Sequence, residues 1–146
     1  MSQFFDLMYN ECMQELIERL RSDYPHLRFK EGKRFSFRPV RTIIFVLGPG
    51  GNEQKFNKLQ LLHELGHAVL EHKNFATDPE RLQMERAAWE QAQILCEKYG
   101  VEYDEDFVEM ELDTYRDWLH RKSTCSKCGL TCYQTRDGKY HCPNCE

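Results

Sequence analysis

The sequence predicts an α+β chain, mostly helical with one short sheet, followed by a separate cysteine-rich end. Three observations lead there. Apolar residues recur at helical spacing through four long stretches. One short β-branched run, "RTIIFVLG", leads straight into the breaker cluster "GPGGN". Five of the seven cysteines fall after residue 124, so they are not scattered core residues.

The first helix is expected over 3–22 from Phe4, Leu7, Met8, Cys12, Leu16 and Leu20, with Pro25 as its stop. "LRFKEGKRFSFRP" reads as an irregular or hairpin segment around Glu31-Gly32, with Phe35 and Phe37 on one face. The strand candidate is 42–47. A second helix is expected over about 54–72 and a third over 78–99, with Asp78 as a cap ahead of Pro79. A fourth covers about 104–121, and "KST" at 122–124 is a short linker. The expected domains are therefore a body, 1–121, and a cysteine-rich module, 122–146. No internal repeat or low-complexity stretch is visible.

Composition narrows the function classes. Forty per cent apolar residues support a core, and thirty per cent charged residues indicate a soluble surface. The longest apolar run, Ile43 to Leu47, is far short of the roughly 20 residues a membrane span needs. Asp6, Glu11 and Glu15 interrupt the N-terminal stretch where a signal peptide would be apolar, so the expected location is cytoplasmic, without a membrane partner. Reducing conditions there favour cysteine as a metal ligand or core residue over disulfides. Residues 121–146 carry a balance of +3 while the whole chain is −4, which leaves −7 on residues 1–120. A body this acidic is a poor nucleic-acid binder through long-range electrostatics. The acidic run at 101–120 reads as a solvated helix face.

Chemistry concentrates in "LLHELGHAVLEH", residues 61–72. Residues four apart share a helix face, so His63 and His67 can hold one ion together. Glu64 beside them is placed to take a proton from a metal-activated water. On the same helix Leu59, Leu62, Gly66 and Leu70 form the apolar face, with both histidines at its edge. His72 falls on the opposite side and is not expected to be a ligand. Gly66 costs a helix roughly 1 kcal/mol relative to alanine. Its place on the apolar face points to close approach of a neighbouring element. In "MERAAWEQAQILCEKYG", Glu85 is the acid that shares a face with Ala88, Trp89, Ala92, Cys96 and Tyr99. A carboxylate on a buried stripe is costly unless paired or bound to metal, so Glu85 is the candidate third ligand.

The cysteine-rich end reads "CSKCGLTCYQTRDGKYHCPNC". Cys125 with Cys128, and Cys142 with Cys145, form two CxxC pairs that together close a tetrahedral four-thiolate site, with "DG" at a hairpin tip between them. This spacing is a zinc-ribbon signal, and its zinc would be structural. Counting four thiolates and Zn²⁺ reduces the local +3 to about +1, too little to claim nucleic-acid binding. Cys132 and His141 are expected to be small half-buried residues, and Cys12 and Cys96 to be core.

The two helical segments resemble the ImmA/IrrE family of zinc metallopeptidases, whose members pair HExxH with a downstream glutamate helix. The likeness spans about residues 40–96. It implies a small thermolysin-like, gluzincin-type α+β fold and a zinc held by His63, His67 and Glu85, with Glu64 as general base. It also implies a protein substrate such as a transcriptional regulator. Ala87 stands where many members have a second glutamate. The SprT-like group also joins HExxH to a zinc ribbon but takes a later histidine as third ligand, and no later histidine here is well placed for that. The expected activity is therefore zinc-dependent endopeptidase chemistry, with one catalytic and one structural zinc. A non-catalytic adaptor whose ribbon binds protein or nucleic acid is the competing class. Tyr99, Tyr103 and Tyr115 are open choices for stabilising the transition state.

Overall fold

A computed structural model describes residues 12–39, 41–48 and 52–145, so Phe4, Leu7 and Met8 of the first expected helix lie outside the described residues. Along them run α1 (Met13–Asp23), β1 (Arg28–Glu31), β2 (Ser36–Arg38), β3 (Thr42–Phe45), α2 (Asn52–Val69), α3 (Asp78–Tyr99), α4 (Glu105–Ser123), β4 (Tyr133–Gln134) and β5 (Tyr140–His141). The class is α+β, as expected.

Helix α1 buries Met13, Leu16, Ile17 and Leu20 along one stripe. Cys12 is not on that stripe. It is the N-cap, half-buried, and its sulfur accepts from the Glu15 N–H at 3.5 Å, satisfying a donor the first turn cannot.

The sheet excludes the hairpin alternative for the segment around Glu31-Gly32, which was expected to be irregular or a hairpin. Strands β1 and β2 do not pair with each other; both pair with β3, one parallel and one antiparallel, in the order β1–β3–β2. Ile43, Ile44 and Phe45 are all buried, which makes β3 the most apolar strand. It takes the centre, where both of its edges are hydrogen-bonded and both faces can be covered. The strand also stops at Phe45, two residues before the expected end.

Helix α2 is buried almost all round from Leu61 to Ala68. It ends three residues earlier than expected. The Glu71 N–H donates to the Ala68 carbonyl at 3.1 Å, and the His72 N–H to the His67 carbonyl at 3.0 Å. This is a Schellman C-cap, and its left-handed residue is Glu71 at φ 55° instead of the usual glycine. Without a glycine, the sequence carried no stop signal there.

The interval 78–99 holds for α3, but its cap does not. Thr77 and Glu80 form a capping box: Thr77 Oγ1 accepts from the Glu80 N–H at 3.4 Å, while Glu80 Oε2 accepts from the Ala76 and Thr77 N–H groups at 2.7 and 3.4 Å. The buried Asp78 carboxylate serves another purpose, accepting from Tyr140 Oη at 2.5 Å, Lys122 Nζ at 2.9 Å and Gln134 Nε2 at 3.3 Å. Gln134 Oε1 in turn accepts from the Asp78 N–H at 2.7 Å. Both strands of the β4–β5 hairpin are thereby tied to the start of α3. The "KST" stretch is no linker: α4 runs through Ser123, and Thr124 bridges Thr131 inside the cysteine-rich segment.

The described chain falls into two compact units, one running up to Lys73 with Ala87–Asp104 and the other Asn74–Arg86 with Glu105 onward. The first holds the sheet and most of the apolar core. The second has a smaller apolar set, Val108 and Leu112 on α4 with Cys142, and relies on polar and cation–π contacts. Arg81 there lies within 5.3 to 5.6 Å of the rings of Phe75, Tyr115 and Trp118.

In the first unit, a β-carbon placed on Gly66 would sit 2.5 Å from the Ala88 carbonyl oxygen and 3.4 Å from its Cα. Alanine at 66 would gain about 1 kcal/mol of helix propensity. It would also drive into backbone that no rotamer change can move aside. Overpacking of this kind costs about 1–3 kcal/mol, so Gly66→Ala is expected to lower stability on balance, read from the urea midpoint.

Burial by itself would raise the Asp78 pKa, but the donors from Tyr140, Lys122 and Gln134 outweigh it and hold the carboxyl below its ordinary value. A depressed folded-state pKa stabilises above the unfolded value of about 3.9, and that contribution is lost as pH falls through the folded value. Asp78→Asn should therefore cost about 1–3 kcal/mol at pH 7 and much less at pH 2, checked by urea unfolding followed on tryptophan fluorescence at both.

Candidate metal centres

Among the described residues, two groups of side chains converge tightly enough to hold a metal ion. The first is His63, His67 and Glu85, whose ligand atoms all lie within 4.8 Å of one another. The histidines project from consecutive turns of α2, where the Gly66 contact seats that helix against the backbone of α3. Glu85 stands one turn before Trp89 on α3. His63 and His67 are 4% and 7% exposed, so their ring nitrogens are shielded from competing water. Glu85 is half-buried.

Ring orientation is set by packing. His63 stacks on Trp89 with centroids 4.0 Å apart and 21° between planes. His67 meets the His63 ring edge-on at 4.6 Å, and Phe37 of β2 stacks parallel to it at 6.2 Å. The Nε2 atoms of the two histidines stand 3.2 Å apart. Two nitrogens at ordinary zinc distances on a tetrahedral ion are about 3.3 Å apart, so the donor pair fits.

Glu64 is buried at 8% exposure, adjacent to His63 on α2, and is not among the three converging donors.

His72 is not among the converging donors, but its expected place on the opposite side of α2 does not hold. Because the C-cap reverses the chain after Val69, a helical wheel no longer describes residue 72. His72 Nδ1 lies 2.8 Å from His67 Nδ1, on the opposite side of that ring from His63. Trp89 was legible as a core position, but not as the ring under His63. Phe37 reaches His67 through sheet pairing, for which no local signal exists. Among the tyrosines, Tyr99 donates its hydroxyl to Asp23 at 2.5 Å and Tyr115 packs on Arg81. Burial and the Asp23 carboxylate hold the Tyr99 hydroxyl pKa above its ordinary value.

The second group is Cys125, Cys128, Cys142 and Cys145, again within 4.8 Å of one another. Cys125 and Cys145 sulfurs are 3.8 Å apart, and those of Cys128 and Cys142 are 3.5 Å apart. The edge of a zinc–thiolate tetrahedron is about 3.8 Å. All four are free cysteines. The tip between them is the expected hairpin turn: the Gly138 N–H donates to Thr135 O and the Thr135 N–H to Lys139 O, both at 2.9 Å, with Gly138 at φ 86°. Backbone N–H groups of Cys128 and Lys127 donate to the Cys125 sulfur and pull its pKa down to about 6. The N–H of Asn144 does the same for Cys142 in direction. Both therefore favour the thiolate that a metal requires. Cys96 is the opposite case: burial pushes its thiol up to about 12, as expected of a core residue. Cys132 and His141 are half-buried, as expected.

No protein-family model, curated protein or solved structure matches this chain. Its chemistry has to be argued from the donor sets. Among the described residues, no helix is long and apolar enough to cross a membrane.

Elemental analysis of the purified chain should find two metal ions. Glu85→Ala should lose one and keep the cysteine-bound ion, and Cys125→Ser should do the reverse. A single ion insensitive to Glu85 would remove the first centre.

Proposed function

We propose that the chain is a zinc-dependent endopeptidase, similar to the ImmA/IrrE metallopeptidases, with a C-terminal zinc ribbon. The observation that carries this is the convergence of His63, His67 and Glu85 with a buried glutamate, Glu64, next to the first ligand. Two histidines and a glutamate leave one tetrahedral position open, as catalytic zinc requires, whereas four cysteines leave none. The third donor is a glutamate, which favours the ImmA/IrrE pattern over the SprT-like one.

A zinc ion bound here would supply Lewis acidity to activate a water and polarise a substrate carbonyl. His63, His67 and Glu85 would hold it. Glu64 accepts the proton of the attacking water and delivers it to the leaving amine. Burial of Glu64 keeps that transfer away from bulk solvent. The transition-state donor is not Tyr99, which is committed to Asp23.

Sheet order bears on where an extended substrate could pair, because β3 is already paired on both sides. β2 is an edge of the sheet, and its Phe37 stacks on His67. An extended peptide adding to the outer edge of β2 would lie beside the metal and gain main-chain hydrogen bonds. The expected partner is a flexible segment of a protein, such as a transcriptional regulator. The ribbon is a recruiting or bracing module with structural zinc, and the location expected for such chemistry is the cytoplasm.

The test is cleavage of a proteome-derived peptide library by zinc-loaded protein, with new termini read by mass spectrometry. Glu64→Gln should keep its zinc and lose about 10²–10⁴-fold in rate. Equal cleavage by the variant would overturn the mechanism. No zinc-dependent cleavage by the wild type would favour an adaptor with two structural sites.

A further inference from the structure

We infer that His72 is a positioning residue for the metal ligand His67, fixing its tautomer through the bond between their Nδ1 atoms. This rests on the metal reading above.

The geometry is specific. His67 presents its two nitrogens in opposite roles: Nε2 faces His63 Nε2 at 3.2 Å, and Nδ1 faces His72 Nδ1 at 2.8 Å. A neutral imidazole carries one N–H and one lone pair. If Nε2 is to offer its lone pair to a metal, the proton must sit on Nδ1, and a fixed acceptor there selects that tautomer. His72 Nδ1 is that acceptor, which leaves the His72 proton on its own Nε2. Metal-bound histidines nearly always donate their second N–H to a fixed partner, commonly a carboxylate or a backbone carbonyl. Here another imidazole takes that role.

Backbone conformation delivers His72 to this place. Were α2 to continue, residue 72 would lie well around the helix from residue 67. The C-cap prevents that: Glu71 at φ 55° turns the chain, and the His72 N–H bonds back to the His67 carbonyl. The same two residues are thus joined twice, backbone to backbone and ring to ring. A non-glycine residue in the left-handed region is uncommon and is held there by its surroundings. The two rings meet at 5.1 Å between centroids and 63° between planes, a pairing of edges and not a stack. With Phe37 parallel to the His67 ring, the orientation of His67 is determined from two sides.

The test measures zinc affinity of the full chain, by competition with a chromophoric chelator, for wild type, His72→Phe, His72→Asn and His63→Ala. Nitrogen chemical shifts of His67 are recorded in the metal-free protein. Asparagine places an oxygen near the position of Nδ1 and keeps an acceptor; phenylalanine keeps a ring and removes it. Zinc at the histidine site is expected to weaken about 10–100-fold in His72→Phe and by no more than about threefold in His72→Asn, with the four-cysteine site unchanged in both. His67 should be Nδ1-protonated in the wild type and in His72→Asn, and should shift towards the Nε2 tautomer in His72→Phe. Undiminished affinity in His72→Phe, or equal losses in the two variants, would overturn the inference, the latter by making the ring's packing responsible. Failure of the metal reading would look different: wild type and His63→Ala would hold the same zinc. The inference would then fall with that reading, whatever the tautomer of His67.

Discussion

The arrangement depends first on the closeness of α2 and α3 at Gly66. A glycine hydrogen occupies the space over the Ala88 carbonyl where any side chain would collide with backbone. That approach brings the His63 ring onto Trp89. It is also why a residue that weakens a helix by roughly 1 kcal/mol sits in the middle of the most buried one. The local loss is offset by a contact that no β-carbon would permit.

Around that contact, the first centre is organised as a layered object. His63 and His67 supply nitrogens, Trp89 and Phe37 limit how their rings can turn, and His72 meets the far nitrogen of His67. The second centre is organised differently. Its four sulfurs sit on two tight turns whose backbone N–H groups stabilise negative charge at Cys125 and Cys142. A segment of some twenty residues cannot build a core of its own; the Asp78 clamp ties it down, and a metal ion held by the four sulfurs would do the rest. The two groups thus differ in kind, three donors projecting from packed helices and four sulfurs carried on a folded loop.

Much of this was legible in residues 61–72 and 125–145. Spacing of four on a helix and paired CxxC units are local patterns, and local patterns survive the step from chain to fold. The convergence of Glu85 with His63 and His67 was legible for a local reason, since it is the acid that shares a face with Ala88 and Trp89. Readings failed where a contact replaced a pattern. Cys12 became a cap, Thr77 took the capping role assigned to Asp78, and the irregular or hairpin segment expected around Glu31-Gly32 proved to be two strands flanking a third.

By itself the sequence determined the α+β class, the positions of the main helices, and both sets of metal-type donors. Each of these is written in residue type and interval. Tertiary structure decided which strand lies at the edge of the sheet, which rings pack on the histidines, and that His72 turns back to His67. Strand order depends on which of three short strands has most to gain from the centre. The turn at Glu71 depends on a left-handed residue that carries no glycine to announce it. Both are settled by packing and hydrogen bonds between segments that the linear chain keeps apart.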